Sequence, residues 1–164
     1  MNVVIAHVGS IKEGYYREAF AEYKKRLSPW AALEEIELRP AKTGAGALAP
    51  EEIASCLAAE AEEFEKLFSQ PRFSRAERVA LCIEGKARSS QEFADFFEAL
   101  RNEGKSTVLF LVGGSWGLHE RVKKACGLRL SFSPMTFAHS LFSVMLAEQI
   151  YRAFSILSGG KYHK

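Results

Sequence analysis

Thr107-Val108-Leu109-Phe110-Leu111-Val112, followed at once by Gly113-Gly114-Ser115-Trp116-Gly117, decides the fold class of this chain. A short apolar run of β-branched and large side chains, bounded by glycines, reads as a strand buried on both faces. A charged helix is expected at about 118–125. A second apolar strand, Leu128-Arg129-Leu130-Ser131-Phe132, comes next. The turn Ser133-Pro134-Met135-Thr136-Phe137-Ala138-His139 leads into a long apolar helix over about 139–157, and Lys161-Tyr162-His163-Lys164 closes the chain. Strands that end in glycine- or proline-bearing loops ahead of helices are where open α/β sheets hold ligands.

Upstream, residues 2–8 predict a buried strand bounded by Gly9-Ser10. Tyr16 to Leu27 predict an amphipathic helix with Lys24-Lys25-Arg26 in its last turn, stopped by Pro29. Leu33 to Leu38 alternate imperfectly, as an edge strand does. Lys42 to Ala49, with Gly44 and Gly46, reads as a flexible loop. Pro50-Glu51-Glu52 opens a helix that runs to about residue 68, with proline in its first turn and acids at the positive dipole end. Gln70 to Glu77 reads as a polar loop, and Arg78 to Ile83 as a third strand ending in Glu84-Gly85-Lys86. Ser89-Ser90-Gln91-Glu92 supplies a capping box for a helix that buries Phe93, Phe96, Phe97 and Leu100 and stops at Gly104. Strands separated by helices predict a mostly parallel sheet flanked by helices.

A chain of 164 residues, 48% hydrophobic and 26% charged, fits one soluble domain spanning 1–164. Cys56, Cys82 and Cys126 are widely spaced and form no C-x-x-C pair, which argues against a disulfide framework or a structural zinc and favours a reducing compartment. Met1 runs directly into Val3-Val4-Ile5-Ala6, a first strand rather than a signal peptide, so a cytoplasmic protein is expected. The last helix is interrupted by Glu148, Gln149 and Arg152 and is no membrane span. It is apolar nearly all round, which predicts one side on the sheet and the other on a second copy, the alternative being a helix fully enclosed within one chain. The net charge of +2 conceals an asymmetry. Residues 1–100 hold 13 Lys/Arg against 17 acids, and residues 101–164 hold nine against three. The basic part favours a polyanion, though a solvated charged face explains it equally.

Gly113-Gly114-x-x-Gly117 is not a dinucleotide fingerprint: the spacing is GGxxG, it follows the fourth strand, and no acidic residue ends the next one. No Gly-Lys-Ser/Thr follows, which excludes a phosphate-loop NTPase. Three strand ends remain, Leu81 to Gly85, Val112 to Gly117 and Ser133 to Ala138. They offer backbone groups and apolar side chains with few charges, a lining suited to a heteroaromatic base with its ribose. His7 reads as a satisfied core residue. Trp30 and Trp116 read as exposed loop residues, the latter able to stack on a base.

Val112-Gly113-Gly114-Ser115-x-Gly117, Ser133-x-Met135-Thr136-Phe137-x-His139, Glu148-Gln149-x-Tyr151-Arg152-Ala153-Phe154 and the ending Tyr162-His163-Lys164 resemble the SPOUT-class ribosomal RNA large subunit methyltransferase H family. The length, the first strand and the Ile83-Glu84-Gly85-Lys86 turn extend the resemblance over the whole chain. Ser115 and Ala138 stand where many members carry proline. The resemblance implies an α/β sheet with a C-terminal trefoil knot over about 107–164, and S-adenosylmethionine as methyl donor. It implies N3 of a pseudouridine in 23S ribosomal RNA as acceptor, with the ribosome as partner, and a homodimer with its sites at the interface. Neither metal nor membrane is implied.

On that resemblance Leu81, Cys82, Gly113, Gly114, Ser133, Pro134, Met135, Thr136, Phe137 and Ala138 bind the cofactor. His163, Arg152 and Tyr162 are the catalytic candidates: His163 as base or proton shuttle, Arg152 to hold a phosphate or polarise the uracil carbonyl. His139, Lys123 and Lys124 are candidates for the RNA, and His139 alternatively caps its helix. The competing functions are a non-catalytic RNA-binding protein with the same basic face and a flavin- or nucleotide-binding enzyme of flavodoxin-like class.

Overall fold

In a computed structural model, which describes residues 1–42 and 47–164, the run Asn2–Val8 forms β1, an interior strand of a five-stranded sheet. The remaining strands are β2 (Ala32–Leu38), β3 (Glu77–Ala87), β4 (Thr107–Val112) and β5 (Leu128–Ser131). Their order is β2-β1-β4-β3-β5, and every neighbouring pair is parallel. The expected parallel sheet is therefore observed, and β2 lies at an edge as its weak alternation predicts. The core of the expected flexible loop, residues 43–46, lies outside the described residues.

The helices are α1 (Gly14–Leu27), α2 (Pro50–Phe68), α3 (Ser90–Asn102), α4 (Glu120–Lys124) and α5 (His139–Leu157). Successive side chains on a strand point to opposite faces, and the two faces carry separate cores. Val3 and Ile5 of β1, Val108 and Phe110 of β4, and Val79 of β3 face α1, α3 and α5. Val4, Ala6, Leu109, Leu111 and Ala80 face α2 and α4. Phe97 is fully buried where α3, β4 and α5 meet, with ring centroids 6.1 Å from Phe110 and 5.0 Å from Phe154. Burying a side chain of that size contributes about 1.5–3 kcal/mol.

Local signals fix most boundaries. Ser89 Oγ accepts the Glu92 N–H at 3.2 Å while the Glu92 carboxylate accepts the Ser89 N–H at 2.7 Å, the reciprocal capping box expected for α3. Glu52 reaches back to the Ala49 N–H at 2.7 Å at the start of α2. Four expectations need correction. The segment after α2 is not wholly polar: Pro71–Phe73 forms a 3₁₀ turn that buries Phe73 beneath the sheet, because proline can open such a turn and Phe73 completes the second core. α4 spans only Glu120–Lys124, since residues 118 and 119 are extended into the cap and the His119 ring accepts the Arg121 N–H. β5 stops at Ser131, one residue short of Phe132. β3 runs on to Ala87 by way of an interruption described below.

Candidate active site

At the carboxyl ends of β3, β4 and β5 a cleft of about 700 Å³ opens, lined by residues 81–84, 112–118, 130–133 and 135–139, with Lys123 and Phe142. That is within the size range of small-molecule sites, and each wall comes from a backbone irregularity. β3 leaves its ladder after Leu81 and rejoins at Lys86, so both residues lie opposite Leu130 and the residues between them bulge into the cleft. The return is possible because position 85 is glycine: a Cβ there would lie 2.5 Å from the Leu130 carbonyl carbon. The floor is the turn after β4. The Gly117 N–H donates to the Gly114 carbonyl at 3.1 Å, Gly117 has φ +79°, and a Cβ at Gly113 would run into the Gly117 backbone. The third wall, residues 133–138, is pinned at its start by the Ser133 hydroxyl, which accepts the Met135 N–H at 3.0 Å. Phe142 supports that wall from within, 4.9 Å from the Phe132 ring and 6.2 Å from that of Phe137.

Two carboxylates are built into the frame. Glu60 of α2 is buried under the β4 turn, where its side chain accepts the backbone N–H groups of Gly114 and, at 3.4 Å, Ala41. Burial pushes its carboxyl up from the usual value, and those N–H groups pull it part of the way back. Glu84, on the β3 bulge, takes an ammonium hydrogen bond from Lys123, which holds its carboxyl below the usual range. Lys123 also faces Glu120 at 3.6 Å, and Glu120 takes a 2.6 Å bond from Arg129. The chain of charges ties the bulge to α4 and β5. Burial raises the Cys82 thiol, and the Glu84 charge raises it further, so the cleft presents a protonated cysteine.

The C-terminal residues gather elsewhere, around Glu148. Arg152 donates to it through Nε at 3.0 Å and through its terminal nitrogen, and the Tyr162 hydroxyl donates at 3.0 Å. The Arg152 guanidinium lies over the Tyr162 ring, 4.6 Å from its centroid. Burial and the bonds to Tyr23 and Glu148 raise the Tyr162 hydroxyl, which stays protonated. Along α5, at about 1.5 Å per residue, Arg152 lies about 20 Å from His139 at the cleft.

Compared with known proteins, residues 1–163 match the family described as "Predicted SPOUT methyltransferase". The chain is 44% identical over 164 residues to Ribosomal RNA large subunit methyltransferase H of Clostridium botulinum (strain Okra / Type B1), covering all of both chains. It is 42% identical over 166 residues to the protein of that name from Bacillus pumilus (strain SAFR-032), again with full coverage of both. The chain belongs to the SPOUT methyltransferase family. Among solved structures, a protein described as "Probable Methyltransferase" from Bordetella pertussis Tohama I superposes with TM-score 0.55 at 12% identity, over 93% of this chain and 95% of that one. A protein described as a methylase family member from Haemophilus influenzae Rd KW20 also gives 0.55, at 13% identity, over 99% of this chain and 70% of the other. At such identities the likeness is one of fold.

As a SPOUT methyltransferase the chain uses S-adenosylmethionine as methyl donor. The lining fits such a ligand: two glycine positions where a side chain would clash with backbone, apolar walls and free peptide groups. Of the residues expected to hold it, Leu81, Cys82, Gly113, Gly114, Ser133, Met135, Thr136, Phe137 and Ala138 line the cleft, whereas Pro134 does not. His139 lines it too. Its Nε2 lies 3.4 Å from the Ser10 carbonyl and its side chain caps nothing; the N-cap of α5 is Ala138. Lys123 faces the cleft in its bridge to Glu84 and is not free for phosphate, while Lys124 is exposed on the outer face of α4. Arg152, Tyr162 and His163 are not in the cleft of their own chain. Sequence reading passed over Phe142 and the Glu84–Lys123 pair. An i,i+3-style scan could not have found that pair, because 39 positions separate its members. His7 is the satisfied core residue expected, with its ring nitrogens 2.7 Å from the Gly9 carbonyl and 2.8 Å from the Glu35 carboxylate.

Proposed function

We propose that this chain transfers a methyl group from S-adenosylmethionine to N3 of a pseudouridine in 23S ribosomal RNA, acting on the assembled ribosome in the cytoplasm. In this reading residues 1–164 are a single SPOUT unit, threaded through a trefoil knot over about 107–164. Two copies associate so that the tail of one completes the cleft of the other. The observation that carries the reading is a separation. The residues lining the cleft suit an adenosyl group, while Arg152, gathered with Tyr162 at Glu148, lies about 20 Å from His139 at the cleft along α5.

Bound in the cleft, S-adenosylmethionine supplies a methyl group already activated by its sulfonium charge. The protein's part is then positioning and proton removal. The glycine floor and the 133–138 wall fix the donor, with Glu60 anchoring the floor and Glu84 the β3 bulge. His163 of the second copy takes the N3 proton as the N–C bond forms, since histidine is the side chain that changes charge nearest neutral pH. Arg152 stabilises negative charge on the uracil carbonyl or an adjacent phosphate, and the Tyr162 ring orients its guanidinium by lying against it. Lys124 contacts phosphate without regard to sequence.

Labelled methyl transfer to assembled ribosomes and to naked ribosomal RNA tests the assignment, with transfer to the ribosome expected to dominate. Calorimetry showing no affinity for S-adenosylmethionine or S-adenosylhomocysteine would leave a non-catalytic RNA-binding protein instead.

A further inference from the structure

Five large apolar side chains are exposed among the described residues, and three of them, Ile83 at 51%, Trp116 at 47% and Met135 at 72%, stand around the mouth of the cleft. Each sits on a different loop: the β3 bulge, the β4 turn and the 133–138 wall. Trp116 occupies the second central position of the turn that Gly114 and Gly117 close. The turn is rigid for reasons already given, namely a glycine with no room for Cβ, a second with positive φ, and the buried Glu60 carboxylate beneath it. The other exposed aromatics have ring partners: Tyr15 packs on Tyr16 and Trp30 on Tyr151. Trp116 has none among the described residues. A large apolar plane is thus held out at the apex of a fixed turn that lines the cleft.

Resting on the function proposed above, we propose that Trp116 is the platform on which the acceptor base stacks, with Ile83 and Met135 closing around its edge. A base withdrawn from RNA loses its own stacking partners, and enzymes that act on such bases replace them with aromatic and apolar side chains. All three side chains keep much of their surface open to solvent, on the outer side of the walls assigned to the adenosyl group. A rigid indole presents its face with little entropy left to lose, and base–aromatic stacking contributes about 1–3 kcal/mol.

The test is steady-state methyl transfer with Trp116→Ala and Trp116→Phe, alongside calorimetry with S-adenosylhomocysteine and light scattering. Trp116→Ala should raise KM for the RNA substrate roughly 10- to 100-fold, leave cofactor affinity and molecular mass unchanged, and be largely restored by Trp116→Phe. In a Trp30→Phe background, which leaves Trp116 as the single indole, its fluorescence should be quenched by a pseudouridine-containing RNA fragment. Unchanged KM in Trp116→Ala, with the parent chain active, would overturn the stacking role alone. So would a parallel loss of cofactor affinity, or a fall to monomer mass that assigns the turn to a subunit contact. A parent chain that binds cofactor yet methylates neither ribosome nor RNA would overturn the proposed function and this role together.

Discussion

Position 113 has room for a hydrogen atom and nothing larger. Gly113→Ala would force the β4 turn off the Gly117 backbone, so it should abolish S-adenosylhomocysteine binding in calorimetry while the far-ultraviolet circular dichroism of the sheet survives. Cys82 reports on the same cleft chemically. Bound S-adenosylhomocysteine should slow maleimide labelling of Cys82, read by mass spectrometry. Cys126, whose thiol burial pushes up to about 12, should label slowly with or without ligand. At the tail, Glu148 gathers Arg152 and Tyr162. His163→Ala should remove methyl transfer and leave cofactor affinity nearly unchanged. The two glycines were legible because few physical situations demand a glycine pair after a buried strand. The pairing of Glu148 with Arg152 was legible as an i,i+4 contact. The attachment of Tyr162 to the same carboxylate was not, because it depends on where the chain turns after α5.

Among the elements, α3 shows most plainly how local pattern becomes tertiary structure. Its capping box was readable from Ser89 and Glu92, and Ser89→Ala should cost about 1 kcal/mol in urea denaturation. Its phenylalanines were readable from helical spacing, and Phe97→Ala should cost about 3–5 kcal/mol, a large share of the total stability of a domain this size. The interruption of β3 was not readable, because Glu84-Gly85-Lys86 looks like a strand's end rather than a detour that returns to it. Two carboxylates at element junctions give opposite dependence on pH. Glu84 is held below the usual 4.5 by Lys123, so its contribution is present above that value and is lost as pH falls through its folded pKa. Glu60 is raised above 4.5, so the unfolded chain ionises first and stability falls as pH climbs toward the folded pKa. Glu60→Gln should remove that mildly acidic decline, seen as a flatter urea midpoint across the range, and should leave the loss on the acid side of 4.5 in place.

At the scale of the molecule, parallel strands and helices on both faces followed from the alternation of elements, but the order β2-β1-β4-β3-β5 did not. Each crossover can land on either side of the strands already laid down, and the apolar runs are alike on both faces. The excess of basic residues beyond position 100 likewise did not reveal that Lys123 is tied to Glu84. If two copies share the cleft, light scattering should give twice 18.3 kDa, and a chain ending before Lys161 should bind cofactor without transferring methyl groups. α5 lies between α1 and α3, and its Leu146, Ile150 and Phe154 fill the same core as Val3 and Ile5 of the first strand. During synthesis, then, β1 emerges well before the helix that completes its core. Until α5 emerges, the strip of that face between α1 and α3 is bare apolar surface, and the nascent chain must stay soluble with it uncovered. Chaperone capture of stalled chains should therefore fall sharply once α5 is free to dock.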